Sequence, residues 1–468
     1  NLDRCERRMR ERIKELPDGT YAHEDYLEYY DKGRFDPVLM RLSLTVCGDE
    51  IVADFEGSNP QVPGVVNSSL AVAGAGVFVA LKSTLDPGGA LNAGTFRPIK
   101  MKAPEASIVN VRRDAPAGAH GEVRKRAVSV MLGCLSQMVP RLVSGDLCGT
   151  SFPNSMGGAH RERSRNYVYV EVPAGGNGGF EESDGSSAFV NVDFGNIRSI
   201  YNVESLEVDM PLLVERSILR TDSGGPGASR GGLGMRREIK LLEQEATYSV
   251  LSDRAVIPPF GVLGGKSAAP VKVAVISNGE ERPLATPGKA TGRQISRDDV
   301  IVMESAGGGG YGDPLSRDYL KVHRDVIGGY VSPERARDDY GVVFSQSGEV
   351  DQAESLELRE RLREQLPVFK VQFSDRAPYQ GIKGRHRRVQ LNPDDAKKYQ
   401  LAGGDLVELL GKHPTPLRGW VSLDADVPMG QMPLDEFGQK VIGIATGDQA
   451  SLRKLTTIIR PGERVTTD

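Results

Sequence analysis

Four cysteines, one tryptophan and six histidines are spread over 468 residues, so the side chains of disulfides, large aromatic anchors and common metal sites are scarce. Cys5, Cys47, Cys134 and Cys148 make no CxxC pair and are too sparse to staple a chain of this length. Reduced thiols in a cytoplasm are therefore expected. His23, His120, His160, His323, His386 and His413 show no HxxxH or HxH spacing. A zinc-type centre needs several convergent His, Cys or carboxylate ligands, so no metal site is expected within the chain. No run approaches the roughly eighteen apolar residues of a membrane span, and no charged-then-apolar leader opens the chain. The net charge is −4 with no basic stripe interleaved with aromatics, which excludes nucleic acid as a partner.

Glycine is abundant instead. The 55 glycines sit mostly in turns between short apolar runs, the composition of a strand-rich α+β chain. Residues 1–14 space Leu2, Cys5, Met9 and Ile13 as an amphipathic helix. Asn1 in place of an initiator methionine leads us to expect a chain that begins inside a longer protein, or a trimmed subunit. Arg41, Ser43 and Thr45 alternate with Leu42, Leu44 and Val46, the period of a half-buried strand. Residues 70–85 and 122–139 read as helices that are largely buried. From 145 to 312 short strands are expected at 167–172, 187–192, 212–219, 239–242, 248–251, 271–276 and 300–303. Ser332-Pro333 reads as a helix cap followed by proline at the first helical position.

The stretch Asp222–Ile239 (DSGGPGASRGGLGMRREI) is the densest glycine cluster around a single basic residue, Arg230. A phosphate cradle places its glycines after a strand and before a helix. Here an apolar, strand-like segment follows, so a glycine-built chain reversal is the expectation. A region over 1–345, a charged linker over 346–375 and a small domain over 376–468 are expected. The last contains a repeat: Leu391–Asp405 and Leu434–Asp448 each run acidic cap, short helix, apolar residue and Gly-Asp into a strand. Such duplicated units resemble the halves of a double-psi β-barrel.

Several polar groups are candidates for chemistry. His120 stands in a loop just before a helix, where residues often reach a site. Asp253 and Arg254 follow an apolar strand, and such a pair could orient a carbonyl or simply tie two sheets together. Asn92 with Arg97, and Asn196 with Arg198, are loop clusters that could line a pocket or bond their own turns. Asp222 and Arg230 are the only side chains of the glycine stretch suited to a site.

Leu91-Asn-Ala-Gly-Thr-Phe-Arg-Pro98, Arg220-Thr-Asp-Ser-Gly-Gly-Pro-Gly227, Arg230-Gly-Gly-Leu-Gly234, Ser252-Asp-Arg254 and Gly307-Gly-Gly-Gly-Tyr-Gly-Asp-Pro314 occur in this order. The series resembles the hydantoinase B/oxoprolinase family over roughly residues 1–345. That resemblance implies a B-type subunit working with an A-type, ATP-using partner. The pair would either carboxylate a ketone, in the manner of acetophenone or acetone carboxylase, or open a cyclic amide such as a hydantoin, 5-oxoproline or a lactam. A non-catalytic scaffold is the reading from another class. The resemblance places ATP and Mg on the partner. The family's N-terminal strings, which look like metal ligands, are absent from this chain. A divalent Zn or Mn would then sit on that missing part or another subunit, so a chain carrying the missing portion is a further expected partner. The split start and the added small domain tilt the expectation towards the ketone carboxylase.

Overall fold

The computed structural model describes residues 1–189 and 200–465. The chain forms two compact units, one of Asn1–Val143 with Val262–Gly264 and Arg361–Arg464, the other chiefly of Ser144–Gly261 and Gly265–Glu360. The C-terminal barrel thus belongs to the same unit as the first 143 residues. The stretch expected as a linker carries the helix Gln352–Glu364 and the strand Val368–Phe373. Among the described residues no helix is long and apolar enough to cross a membrane.

In the first unit, strands Gly19–Leu27, Val38–Cys47 and Glu50–Asp54 form an antiparallel sheet, joined in parallel by Ile99–Lys102. The alternation at 41–46 buries Leu42, Leu44 and Val46 and leaves Arg41, Ser43 and Thr45 half-exposed. Helix His120–Met138 packs on this sheet and on helix Leu70–Leu85. Gly76 permits the close helix crossing, because a methyl there would meet the Arg124 carbonyl. Helix Leu2–Lys14 buries Met9 and Ile13, while Leu2 stays exposed.

The barrel shows why the repeat exists. Strand His386–Leu391 pairs in parallel with Leu417–Leu423, and Gln431–Leu434 pairs in parallel with Val368–Phe373. Leu417–Leu423 and Val368–Phe373 are each bonded antiparallel to a further strand, Leu406–Leu410 and Gln449–Lys454, and those two strands pair with each other. The two halves are therefore interlocked about a pseudo-twofold axis. Asn392 and Asp435 cap the equivalent helices Pro393–Lys398 and Glu436–Ile442. Asp405 accepts the Ala402 N–H at 2.9 Å and Asp448 accepts the Ala445 N–H at 3.0 Å, the same turn made twice.

A buried ionic seam ties the barrel to the N-terminal sheet within this unit. Glu24 accepts from Arg387 Nε at 2.6 Å and from the Tyr379 hydroxyl at 2.6 Å, with Arg41 at 3.4 Å and Asp435 on the far side of Arg387. Asp25 pairs with Arg126 at 2.7 Å, and Arg418 pairs with Glu408 at 3.0 Å. Burial by itself would raise the Glu24 carboxyl; the Arg387 and Arg41 guanidiniums outweigh it and hold it at about 2.

The second unit has a five-stranded sheet in the order Glu280–Pro283, Lys272–Ser277, Val300–Glu304, Met235–Leu241, Leu212–Leu219. A four-stranded sheet runs Lys289–Ser296, Glu245–Leu251, Asn154–His160, Arg165–Glu171. Both sheets feed one core that includes Tyr169, Ile239, Tyr248, Val273 and Met303. Of the strand expected at 187–192, Ser187 and Ala188 lie in a turn, Phe189 makes a single bridge to Gly175, and the rest lies outside the described residues. Strand Asn154–His160 (NSMGGAH) was not expected, since its two glycines break the apolar alternation.

Against these sheets lies a bundle of extended glycine threads. The N–H groups of Gly307, Gly308, Gly309, Gly310 and Tyr311 donate in turn to the carbonyls of Ala269, Gly232, Asp146, Lys266 and Ser229. Every third amide returns to the same neighbouring thread, which is the period of a polyproline II-type helix bonded to neighbours rather than to itself. Threads around 145–149 and 175–179 join through Gly145 N–H to Gly179 O and Gly179 N–H to Gly309 O. The chain reverses across 222–234 as expected, linking the antiparallel strands Leu212–Leu219 and Met235–Leu241, and Gly224, Gly225, Gly231 and Gly232 lack side chains because a methyl at any of them would run into the facing backbone.

Candidate functional site

The glycine stretch spends its amides on neighbouring chain rather than holding them out to a phosphate. Gly225 N–H donates to Gly308 O, Gly231 to Gly225 O, Gly232 to Asn177 O, and Gly234 to the Ser223 hydroxyl. The two side chains expected to serve a site are equally committed. Asp222, in the left-handed region at φ 60°, accepts the Ser332 N–H at 2.7 Å at the start of helix Pro333–Tyr340. Arg230 lies 3.4 Å from Asp325, and its N–H donates to Asp184 at 2.7 Å. Arg317 completes the cluster, bonding Asp184 and Asp325 at 2.7 Å each. No sequence signal marks this cluster, because Asp184 stands 46 positions before Arg230 and Asp325 stands 95 after it.

Asp253 and Arg254 form the best-built polar centre of the second unit. Strand Glu245–Leu251 delivers them into a loop where Arg254 sits at φ 63°. Its guanidinium pairs with Asp146 and donates to the Ile257 carbonyl at 3.3 Å, and both members of the pair are fully buried. Asp253 is 1% exposed, and its N–H donates to the Thr150 hydroxyl at 3.0 Å. Gly149 lies directly against the Arg254 side chain, where a Cβ would collide. Asp146 was missed, for it carries no motif of its own. Enclosed on all sides, this centre is built to fix a loop against the glycine threads.

The other expected residues lie apart from it. His120 is exposed at the start of helix His120–Met138, its Nδ1 3.1 Å from the Ala117 carbonyl. Asn92 caps the short helix Ala93–Phe96 and donates to the Cys5 sulfur at 3.1 Å. Arg97 pairs at the surface with Asp3 and Glu6 at 2.7 and 3.0 Å. Asn196 and Arg198 lie outside the described residues. Among the described residues no three His, Cys, Asp or Glu side chains are grouped so as to hold a metal ion. Among the described residues, the glycine stretch has no free amides at Gly225, Gly231, Gly232 or Gly234 to offer a nucleotide, and no group of ligands is placed for a divalent metal.

Comparison with known proteins places this architecture. A family model described as Hydantoinase B/oxoprolinase matches residues 1–314. The B subunit of a putative D-/L-hydantoinase of Pseudomonas sp. (strain NS671) is 30% identical over 373 residues, 76% of this chain and 61% of the relative. The beta subunit of caprolactamase of Pseudomonas jessenii is 30% identical over 365 residues, covering 75% of this chain and 61% of the relative. The solved structure of ATP-dependent caprolactamase from the same organism aligns with a TM-score of 0.71 at 28% identity, over 77% of this chain and 63% of that one. Nucleotide-free acetone carboxylase aligns with a TM-score of 0.70 at 20% identity, over 77% and 54%, a likeness of fold alone. The chain spans about three fifths of the length of the curated relatives it matches.

Proposed function

The chain belongs to the hydantoinase B/oxoprolinase family, and from that premise we propose that it is the B-type subunit of an ATP-dependent enzyme that opens a cyclic amide. The observation that carries the reading is sequence identity of 30% to both a caprolactamase subunit and a hydantoinase subunit across three quarters of the chain. Ketone carboxylation, towards which the sequence tilted, rests on a likeness at 20% identity that speaks to the backbone only. ATP and Mg belong on an A-type partner, since the amides of Gly225, Gly231 and Gly232 are engaged by backbone carbonyls. A divalent Zn or Mn, where the enzyme uses one, belongs on a segment or subunit outside the described residues.

In this reading the partner transfers the terminal phosphoryl group of ATP to the amide oxygen, releasing ADP. Water then adds to the activated carbon and the C–N bond breaks, the ring nitrogen leaving as an amine with a proton from that water; a second water hydrolyses the acyl phosphate left behind to a carboxylate and inorganic phosphate. Asp222, Arg230, Asp253 and Arg254 serve as positioning residues, while the exposed His120 is left for direct contact with substrate or partner. The test is ADP release by the chain assembled with an A-type subunit, offered ε-caprolactam, hydantoin, 5-oxoproline, and acetone with bicarbonate. Lactam- or hydantoin-stimulated release without bicarbonate is expected. Release only with ketone and bicarbonate would replace amide opening by carboxylation, and no stimulation by any of them would leave a scaffold.

A further inference from the structure

The two larger sheets of the second unit end in four edge strands, and three of them carry devices that keep other strands off. Glu280–Pro283 is four residues long and reads Glu-Glu-Arg-Pro. Leu212–Leu219 carries Glu215 and Arg216, and its ladder is broken by a register shift between Glu238 and Ile239. Lys289–Ser296 carries Lys289 and Arg293, and its ladder shifts between Tyr248 and Val250. Brevity, charge, proline and bulges are the usual protections of a sheet edge.

Arg165–Glu171, the fourth edge, lacks them. Its seven residues contain no proline, and its ladder runs unbroken from Arg165 opposite His160 to Glu171 opposite Asn154. Its solvent face presents Asn166, Val168 and Val170, with no charge. Val168 and Val170 are 67% and 48% exposed, standing above the small Gly157 and Ser155 of the next strand. Among the described residues no backbone group of the strand bonds beyond that single ladder. Arg163 and Arg165 donate to the carbonyls of Val208 and Asp209, which brings a further exposed valine, Val208, to the same margin. A long, regular, apolar edge of this kind is a template for an added strand.

The edge reads almost alike in both directions, which selects the strand that is added. About Val168, Tyr167 mirrors Tyr169 and Arg165 mirrors Glu171. An antiparallel match to a second copy therefore sets Val168 on Val168, Tyr167 on Tyr169, Asn166 on Val170 and Arg165 on Glu171. Arg165 makes no ion pair of its own among the described residues, and Glu171 shares its carboxylate with Arg237. A parallel match in register would set Arg165 on Arg165 and Glu171 on Glu171, and like charges directly opposite are destabilising. The antiparallel contact is isologous, the commonest way for two copies of a chain to close. We propose that strand Arg165–Glu171 is the docking edge for a second copy of this chain, paired antiparallel about Val168 so that two four-stranded sheets join into one of eight. The pairing holds whether the enzyme opens an amide or carboxylates a ketone. One strand pair is a small interface beside the roughly 1,200–2,000 Å² of stable complexes, so a reversible, concentration-dependent dimer is expected.

The test uses the full chain with the exposed Cys47 replaced by serine. Residues directly opposite in an antiparallel pair have Cα atoms about 4.5–5.5 Å apart, within reach of a disulfide. Val168→Cys is therefore expected to cross-link copy to copy under mild oxidation. Val170→Cys alone should not, whereas Val170→Cys mixed with Asn166→Cys should. Val168→Lys sets two like charges on the axis at an exposed position. It is expected to raise the dimer dissociation constant about tenfold or more in sedimentation equilibrium, with the unfolding midpoint unchanged. A chain that stays monomeric at its highest soluble concentration would overturn the pairing. So would a dimer that Val168→Lys leaves intact, or Val170→Cys cross-linking to itself as fast as Val168→Cys. A monomeric chain whose binding to an A-type subunit is lost in Val168→Lys would give the edge to that partner instead.

Discussion

Gly308 and Gly309 have no side chain because a methyl on either would enter a carbonyl of the facing thread, that of Asn177 or of Phe260. Backbone crowding of this kind cannot be relieved by a rotamer change. Gly308→Ala or Gly309→Ala is therefore expected to cost about 3 kcal/mol or more. Gly88→Ala, where a methyl meets nothing within contact range among the described residues, should be neutral or mildly stabilising. Urea unfolding of the three variants checks this, and equal midpoints would mean that the threads yield. Acid sensitivity is also set by single residues. His386 is 3% exposed, packs edge-on against Trp420, and burial holds it at about 4, below its usual 6.5. The unfolded chain takes up that proton first, so this contribution is complete above pH 6.5 and is lost as pH falls towards 4. His23, held at about 4 by burial, acts in the same window. Glu24, held at about 2 against its usual 4.5, gives a second loss between pH 4.5 and 2. His386→Phe should flatten part of the first loss and leave the second, read by the fluorescence of Trp420, the chain's one tryptophan.

The repeated elements of the barrel are equivalent in backbone and unequal in environment, which makes them a test of what holds a turn. Asp405 is buried and pairs with Lys454 at 2.7 Å and Arg460 at 3.1 Å, whereas Asp448 is a third exposed and pairs with Lys412 at 2.7 Å. Both lose a turn hydrogen bond on mutation. Asp405→Ala also takes from two cations the buried carboxylate that holds them, so it should cost about 2–3 kcal/mol, against about 1 kcal/mol or less for Asp448→Ala. Chemical denaturation followed at Trp420 measures the difference; equal costs would mean that the turn bond alone matters. The repeat was legible in the sequence because it lies in local spacing, as were the strands at 41–46 and 212–219 and the cap at Ser332. Strand Asn154–His160 was not, because Gly157 and Gly158 erase its alternation. The thread bundle was not either, since its bonds join segments far apart and glycine gives no periodic signal. At the candidate centre the sequence offered Asp253 and Arg254 but not Asp146, whose role appears only when the chain folds back across more than a hundred residues.

At the scale of the whole chain, the position of the barrel decides what can fold alone. Read along the sequence, residues 1–345 and 376–468 look like separate bodies joined by charge-rich chain. In the first unit, however, Ala22 of the N-terminal sheet belongs to the same buried cluster as Phe369, Val389, Leu417 and Val441. Tyr26 packs edge-on against Trp420 at 5.0 Å between ring centroids. Removing the barrel would expose this surface and, more costly, leave Glu24 without Arg387 and Tyr379. Loss of one partner from a buried pair typically costs about 3–5 kcal/mol, comparable with the whole stability of many domains. A chain cut after Ser345 is therefore expected to give a sheet and helices over 1–143 that do not unfold cooperatively. Adding the separately expressed segment 361–465 should restore protection of the amides of Gly19–Leu27 from hydrogen exchange. Full protection of those amides in the cut chain alone would make the barrel an appendage. Restoration only by the added segment would make the first and last parts of the sequence a single folding unit.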